Sequence, residues 1–227
     1  MNIFKTYAIV LKSENWRETS KILTLFSQRF GKIRVIAKGV RNPKSKLVGN
    51  LEPFSQVNIV FYKKENTDLH LLSQVDLLQP LPKIQNDLKR FAYASAVTEL
   101  LDKLTEPEEV HPGLFSLTWE TLQNIEAASI AKLDNYLWSY VLKLASNLGY
   151  CPKLSACISC NKTEALATEH LFFSAEKGGM ICKNCVQEGS YYLRLSKKSW
   201  EIMKLFLTSQ NSKLESLILN KKQISEI

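Results

Sequence analysis

Polar and apolar residues alternate along much of the first third of the chain, which is the pattern typical of short, half-buried β-strands. Strands are predicted over residues 7–11, 22–26, 32–38, 57–62 and 69–75. In the third of these, Ile33, Val35 and Ala37 share one face, and the basic residues share the other. Five short strands in so little sequence predict a small closed barrel of the OB type, with an SH3-like barrel as the alternative.

The spacing of apolar residues becomes that of a helix after Pro80 and Pro82, two closely spaced prolines that end the last strand. Helical blocks are predicted from residue 84, after residue 112, over residues 133–148 and from residue 196. The block over 133–148 has the clearest apolar stripe, with steps of three and four residues. Gly149 stands where a C-terminal cap is expected. The pattern therefore predicts an α+β protein with a domain boundary near residue 80.

Composition and charge indicate a globular protein with a basic N-terminal part. The chain has 227 residues, of which 45% are hydrophobic, and a net charge of +8. Residues 1–80 contain thirteen Lys and Arg but only six Asp and Glu, whereas residues 81–227 are nearly neutral. Such a local excess attracts polyanions, although a merely solvated basic surface is the alternative. No apolar run reaches membrane-spanning length and no signal peptide is visible, so we expect a cytoplasmic protein.

All five cysteines lie within a short stretch near the C-terminal third of the chain. Cys157 and Cys160 form one C-x2-C pair, and Cys182 and Cys185 form a second pair 21 residues later. Two such pairs supply four thiolates in the tetrahedral arrangement that Zn²⁺ prefers, and four sulfur ligands leave no open position for catalysis. We therefore predict a structural zinc site, with buried free thiols as the alternative. Cys151 is left over and is predicted to be a small core residue.

A basic loop follows the third strand. Lys38, Arg41, Lys44 and Lys46 fall within nine residues, and Arg34 lies on the strand before them. Asn42, Ser45 and Gly39 add neutral donors and room for close backbone approach, a mixture typical of phosphate contacts. A solvated charged loop is the alternative. Aromatic residues of the same region could stack on bases, but packing in the barrel core is the favoured interpretation for them: Tyr7, Phe30, Phe54, Phe61 and Tyr62.

Motifs of the common enzyme classes do not occur in the chain. There is no phosphate-binding loop, no dinucleotide-binding glycine motif and no nucleophile elbow. None of the three histidines begins the H-x-E motif of a zinc deaminase. We therefore predict a protein that is not an enzyme.

Eight short segments follow one another along the chain in a characteristic order: Tyr7–Leu11, Arg17–Ser20, Leu25–Ser27, Gly31–Lys32, Ala37–Ser45, Leu51–Phe54, Ala96–Asp102 and Leu148–Pro152. The most specific of them is Ala37–Ser45, which contains most of the basic loop. With these segments in this order and spacing, the chain resembles the bacterial RecO family of DNA repair and recombination mediator proteins over essentially its full length.

This resemblance implies four parts. They are an OB-fold DNA-binding barrel (residues 1–80), a helical domain (81–149), a zinc-finger insert (150–190) and C-terminal helices that return to the helical domain (191–227). Carried over by motif, Lys38, Arg41, Lys44 and Lys46 become DNA contacts, and Cys157, Cys160, Cys182 and Cys185 become ligands of a structural zinc ion.

The resemblance also implies a function. Proteins of this family bind single- and double-stranded DNA, anneal complementary strands, act with RecR, and bind the C-terminal tail of the single-strand-binding protein. In this way they help to load the RecA recombinase. The expected location is the bacterial cytoplasm, at the nucleoid, with no membrane partner. Two alternatives stay open: an RNA-binding or ribosome-associated factor, which a barrel with a zinc ribbon also suits, and a zinc enzyme.

Overall fold

A computed structural model describes residues 2–42, 51–65, 67–166, 171–209 and 211–226. The chain divides into two compact units, Met1–Ala127 and Ala128–Ile227. The first contains a barrel and three helices, and the second contains helices and a small sheet, so the α+β class predicted from sequence is confirmed. No helix within the described ranges is both long and apolar enough to cross a membrane.

The barrel consists of β1 (Asn2–Trp16), β2 (Ser20–Ser27), β3 (Gly31–Ala37), β4 (Gln56–Lys63) and β5 (Leu69–Gln79). β1, β2 and β3 pair antiparallel in sequence order, and β4 pairs antiparallel with both β5 and β1. β3 and β5 pair in parallel and close the ring in the order β1-β2-β3-β5-β4. This order is that of the predicted OB-type barrel. β1 is longer than predicted at both ends: it pairs with β4 from Asn2 onward, and it continues past a register shift between Val10 and Lys12 to pair with β2 as far as Trp16.

The barrel interior is filled by apolar residues from alternate positions of the strands. As predicted, Ile33, Val35 and Ala37 are buried together on β3. They meet β2 through Leu23 and Leu25. Because side chains alternate along a strand, the intervening residues of β2 and β3 lie on the outside of the barrel.

Three helices follow in the first unit: α1 (Pro82–Asn86), α2 (Leu88–Leu104) and α3 (Pro112–Ala127). α1 begins earlier than the sequence pattern predicts, because proline suits the first turn of a helix, where its missing N–H is not needed. The Glu126 carboxylate accepts hydrogen bonds from the N–H groups of Lys83 and Ile84. This contact caps α1 from the end of α3.

The C-terminal end of α2 is fastened to the barrel by Lys32 of β3. The Lys32 ammonium group donates hydrogen bonds to the carbonyl oxygens of Asp102 (2.5 Å) and Thr105 (2.7 Å). The Asp102 carboxylate in turn accepts a bond from Lys12 of β1 at 2.6 Å. Immediately afterwards the chain lies against the start of β3, where Glu108 N–H donates to the Lys32 carbonyl oxygen at 2.9 Å. These bonds hold residues 105–109 against the outside of the barrel.

The second unit contains α4 (Leu133–Asn147), three short strands and three further helices. The strands β6 (Leu171–Ser174), β7 (Gly179–Ile181) and β8 (Leu193–Leu195) form a sheet in the order β7-β6-β8. The helices are α5 (Lys197–Thr208), α6 (Asn211–Ser216) and α7 (Lys221–Glu226). α5 packs on α4, and the buried Ser139 hydroxyl donates to the Phe206 carbonyl oxygen at 2.8 Å.

Gly31 allows residues 105–109 to approach the barrel closely. It has a φ of +61°, and a Cβ at this position would lie 1.9 Å from the Glu109 carbonyl oxygen. Gly39 has a similar φ of +67°, but no atom of the described residues lies within 4 Å of a Cβ built there. We expect Gly39→Ala to cost about 1 kcal/mol of unfolding free energy, from backbone strain alone. Gly31→Ala should cost about 2 kcal/mol more, because of the clash.

Urea unfolding followed by circular dichroism measures both variants against the parent. Equal losses in the two variants would contradict the close packing of residues 105–109 on Gly31.

The Asp102 carboxylate makes the stability of the first unit depend on pH. Burial raises its pKa, but Lys12 and Lys32 outweigh this effect, so the folded pKa lies below the ordinary value of 3.8. The stabilisation is therefore complete above that value and is lost as the pH falls through the folded pKa. We expect Asp102→Asn to lower the unfolding free energy by about 1–2 kcal/mol at pH 7.

This difference between parent and Asp102→Asn should begin to shrink below pH about 4 and disappear once the pH lies below the folded pKa, where the parent carboxylate is also neutral. Urea titrations at a series of pH values test this, with the exposed Glu120→Gln as the control that keeps the parent profile. A constant difference at all pH values would show that the Asp102 charge does not stabilise the fold.

Candidate nucleic-acid interface and metal centre

The outer face of β2 and β3 carries the basic strand residues that the sequence pattern indicates. Thr24 pairs with both Lys12 and Arg34, so these three residues form one row across the outside of the barrel. Together with Lys32, Asp68, Asp102 and Glu108, part of this row lines a cleft of about 610 Å³. The cleft contains both signs of charge, and therefore it is not a simple anion site.

The two cations of β3, Lys32 and Arg34, both form ion pairs within the protein. Lys32 is held by the end of α2, and Arg34 donates to the Asp68 carboxylate at 2.9 Å. Arg34 remains 47% exposed, so it can still reach a phosphate group. A DNA phosphate at this position would compete with Asp68 for the guanidinium group. The role predicted for Arg34 in DNA binding stays a prediction.

The start of the basic loop is fixed to the hairpin between β1 and β2. Arg41 donates its backbone N–H to the Thr19 carbonyl oxygen at 2.9 Å, and its guanidinium group donates to the Arg17 carbonyl oxygen at 3.2 Å. Asn42 N–H closes the turn by donating to the Gly39 carbonyl oxygen at 3.1 Å. Lys38 and Arg41 are both exposed. The structure thus places two of the predicted DNA contacts together at one corner of the barrel.

The other two predicted loop contacts, Lys44 and Lys46, lie within residues 43–50 and therefore outside the described part of the chain. Their role in DNA binding stays a prediction.

Two of the five aromatic residues considered for base stacking, Phe30 and Phe61, pack in or against the barrel core, as expected. Phe54 and Phe61 are buried, and Phe30 packs edge-on against Phe61 with 5.5 Å between ring centroids. Phe54 packs on Phe91 of α2, with 5.2 Å between ring centroids, and not in the barrel core. Tyr62 is half-buried on β4, and Tyr7 is 49% exposed on β1. Trp16, which the strand pattern does not single out, is 44% exposed at the last position of β1. A tryptophan directly before Arg17 in a hairpin turn was the available clue.

The four cysteines of the two C-x2-C pairs come together in the second unit. The Sγ atoms of Cys157, Cys160, Cys182 and Cys185 all lie within 4.8 Å of one another. The Cys160 and Cys182 Sγ atoms are 3.9 Å apart. Four thiolates at about 2.3 Å from a tetrahedral ion would be about 3.8 Å from each other. The cluster therefore has the size and the donor atoms of a tetrahedral metal site.

The backbone arranges these thiols through two short turns and a hairpin. Asn161 N–H donates to the Cys157 carbonyl oxygen, and Cys185 N–H donates to the Cys182 carbonyl oxygen, so each pair is closed by its own turn. The hairpin of β6 and β7 leads directly to Cys182. Cys182 N–H donates to the Cys157 Sγ atom at 3.4 Å and links the two turns.

The electrostatic environment differs among the thiols. Burial raises the pKa of Cys157, but backbone N–H groups, chiefly those of Cys160 and Cys182, outweigh this effect and lower the pKa to about 6. The pKa of Cys185 is raised to about 12, first by its hydrogen bond with Cys182 and then by burial. Cys157 is therefore the thiol that most readily supplies a thiolate. A bound cation would favour the thiolate form of all four.

Cys151 lies apart from this cluster and is exposed, so its prediction as a core residue is wrong. The segment after α4 alternates in burial, and it is Pro152 and Leu154 that are buried. Their burial leaves Cys151 facing outward.

We expect Cys160→Ser to lose bound metal ion and to lower the unfolding temperature of the purified protein, because metal binding contributes directly to folding. Treatment of the parent with a strong chelator should have the same effect. Cys151→Ser is the matched control and should retain both the metal and the unfolding temperature. Elemental analysis and thermal unfolding measure the two effects. A parent protein that purifies without metal and is indifferent to the chelator would contradict the assignment.

Two family models match the chain and together cover almost all of it. The model described as "Recombination protein O N terminal" matches residues 1–81, which contain the whole barrel. The model described as "Recombination protein O C terminal" matches residues 85–227, which include the cysteine cluster.

Individual relatives agree with the family models. The "DNA repair protein RecO" of Caldanaerobacter subterraneus subsp. tengcongensis is 35% identical over 217 residues, covering 96% of this chain and 85% of that protein. The protein of the same name from Desulfitobacterium hafniense (strain DSM 10664 / DCB-2) is 34% identical over 233 aligned residues, covering 100% of this chain and 83% of the relative. The chain therefore belongs to the RecO family of DNA repair proteins.

Proposed function

We propose that this chain is a non-enzymatic recombination mediator in DNA repair, which binds single- and double-stranded DNA and anneals complementary strands. The observation that carries the proposal is the match of the two RecO family models to residues 1–81 and 85–227. A mediator needs a surface for the DNA backbone and surfaces for partner proteins, and it breaks no covalent bond. Its proposed location is the bacterial cytoplasm, at the nucleoid, where such DNA is found.

The DNA surface proposed here is the corner of the barrel that carries Lys38 and Arg41. Their exposure, and the excess of positive charge within residues 1–80, support this choice. Lys44 and Lys46 follow in the sequence and would extend the surface, and Arg34 would join it by exchanging Asp68 for a phosphate. Backbone contacts of this kind position DNA without reading its sequence, which suits a protein that must act at any damaged site.

The metal proposed for the cysteine cluster is a structural Zn²⁺ ion bound by Cys157, Cys160, Cys182 and Cys185. Four sulfur donors at tetrahedral spacing support zinc over the harder cations, which prefer oxygen ligands. The ion would hold the two turns and the β6–β7 hairpin together. Because all four positions are filled by protein, its role would be in folding and not in chemistry.

The proposed partners are RecR, the C-terminal tail of the single-strand-binding protein and, indirectly, RecA. Membership of the RecO family supports these partners. A mediator that loads a recombinase works on strands already coated by the single-strand-binding protein, and contacts with both the strand and the coat protein would suit this role.

Charge at the barrel corner should set the salt dependence of DNA binding. If about six phosphates are neutralised, log K should fall with log salt at a slope of roughly −4 for single strands. We expect the double variant Lys38→Glu/Arg41→Glu to bind more weakly and to flatten the slope by about 1–2. Fluorescence anisotropy with labelled oligo(dT) between low and moderate salt measures both quantities.

The matched control is Lys89→Glu/Lys103→Glu, which makes the same charge change at exposed positions of α2. A slope that is unchanged in the Lys38/Arg41 variant, or changed equally in the control, would show that the corner is not part of the DNA interface.

Competition with an RNA strand of the same length distinguishes DNA binding from RNA binding. Strong preference for the RNA would favour the RNA-binding alternative over the repair function.

Binding to the single-strand-binding protein is tested by capture on its immobilised acidic and apolar tail peptide. We expect the full chain to be retained and to be released by excess free peptide. A peptide without its last residues is the control. Retention on both peptides, or on neither, would contradict the proposed partner while leaving the DNA-binding proposal unaffected.

A further inference from the structure

We propose that Trp16 is a base-stacking residue, which gives the barrel a preference for unpaired bases. This inference rests on the proposed function and deepens it, because it adds a contact that only single-stranded nucleic acid can make. The ligand is the flat face of an unpaired nucleobase, held between phosphates that neighbouring cations contact. We call Trp16, Arg17, Lys38 and Arg41 the Trp16 corner.

Exposure of the indole ring is the first observation. Trp16 is 44% exposed, whereas Phe54 and Phe61 of the same barrel are 3% and 0% exposed. A tryptophan that leaves so much apolar surface in water forgoes a large part of the gain from burial. Stacking on an aromatic base would recover that gain.

The position of Trp16 is the second observation. It ends β1 and pairs with Ser20 at the start of β2, so it stands at the base of the hairpin turn 17–19. Lys21 pairs with Ala37, so the same register continued by one residue sets Lys38, directly after β3, opposite Ser20. Because side chains alternate along a strand, Trp16, Ser20 and Lys38 then lie in one row on the outer face of the sheet.

The corner is held in a fixed shape before any ligand binds. The guanidinium group of Arg41 is anchored at 3.2 Å on the carbonyl oxygen of Arg17, the residue next to Trp16. The Arg41 N–H bond to Thr19 fixes the other side of the hairpin turn. Arg17 itself has a φ of +52°, an unusual conformation that these two bonds hold in place. A preformed site loses little entropy when a base binds.

Charge alone would not make this corner selective. Arg17, Lys38 and Arg41 share it with two carboxylates of the same hairpin, Glu14 and Glu18, so its net charge is small. Cations attract the phosphates of single strands and duplexes alike. Only the ring distinguishes them, because the bases of a duplex are already stacked on each other, whereas those of a single strand are available.

The test compares Trp16→Ala with the parent in binding to oligo(dT) and to a hairpin duplex of equal phosphate number. We expect Trp16→Ala to lose about tenfold in affinity for oligo(dT), which corresponds to about 1.4 kcal/mol, and less than twofold for the duplex. Trp16→Phe should retain most of the affinity, because a phenyl ring also stacks. The slope of log K against log salt should stay at the parent value in both variants.

Tyr7→Ala is the matched control, since Tyr7 is 49% exposed on the same strand but nine residues away. It should bind both probes like the parent. Intrinsic fluorescence gives a second readout: oligo(dT) should quench the parent more than Trp16→Phe, and an abasic strand of the same length should remove that difference. Thermal unfolding confirms that each variant is folded.

Three outcomes decide the proposal. Selective loss of oligo(dT) binding in Trp16→Ala supports stacking. A parent that binds oligo(dT) with the expected salt dependence, together with an unaffected Trp16→Ala, overturns stacking and leaves the proposed function in place. A parent without affinity for either probe overturns the proposed function and the stacking contact with it.

Discussion

Closure of the five strands into a ring is the constraint on which the N-terminal unit depends. The parallel pair β3–β5 and the antiparallel pair β4–β1 complete the ring, so each strand has a partner on both sides. Closure also decides what lies at each end of the barrel. Because β2 runs antiparallel to both β1 and β3, the β1–β2 hairpin and the residues after β3 arrive at the same corner. Arg41 then joins them through two hydrogen bonds.

One part of the outer barrel surface stabilises the fold, and another part is the proposed DNA-binding surface. Toward the start of β3, Lys32 and Asp102 fasten the end of α2, and Gly31 lets residues 105–109 approach. The Lys32 ammonium group is therefore engaged by contacts within the fold. Toward the end of β3, Lys38 and Arg41 are exposed. The same strand therefore serves as a structural anchor at one end and as the proposed DNA surface at the other, and the alternation of its residues makes both possible.

Sequence patterns predicted the parts of this protein that depend on local periodicity. Five alternating strands indicated the barrel, and the spacing of Cys157, Cys160, Cys182 and Cys185 indicated a cluster that the structure brings within 4.8 Å. Contacts between distant segments were not predictable in this way. The pairing of Lys32 with the end of α2 joins residues about seventy positions apart, and nothing in the local sequence indicates it.

The environments of two individual residues could not be predicted from the local sequence either. Cys151, the cysteine outside the two pairs, was predicted to be a small core residue, but it is exposed while Pro152 and Leu154 are buried. Trp16 was not singled out because it lies beyond the first predicted strand, residues 7–11, whereas β1 extends to Trp16 in the structure. Only the barrel register reveals that its ring stands at the outer end of β1, beside the basic loop.

We propose that DNA is held at the corner where the β1–β2 hairpin meets the basic loop. Ultraviolet cross-linking of the full chain to oligo(dT), with the adducts located by mass spectrometry, tests this claim most directly. Adducts should concentrate on the peptides that contain residues 16–20 and 38–42. Adducts confined to residues 128–227, with the hairpin and loop peptides unmodified, would contradict it.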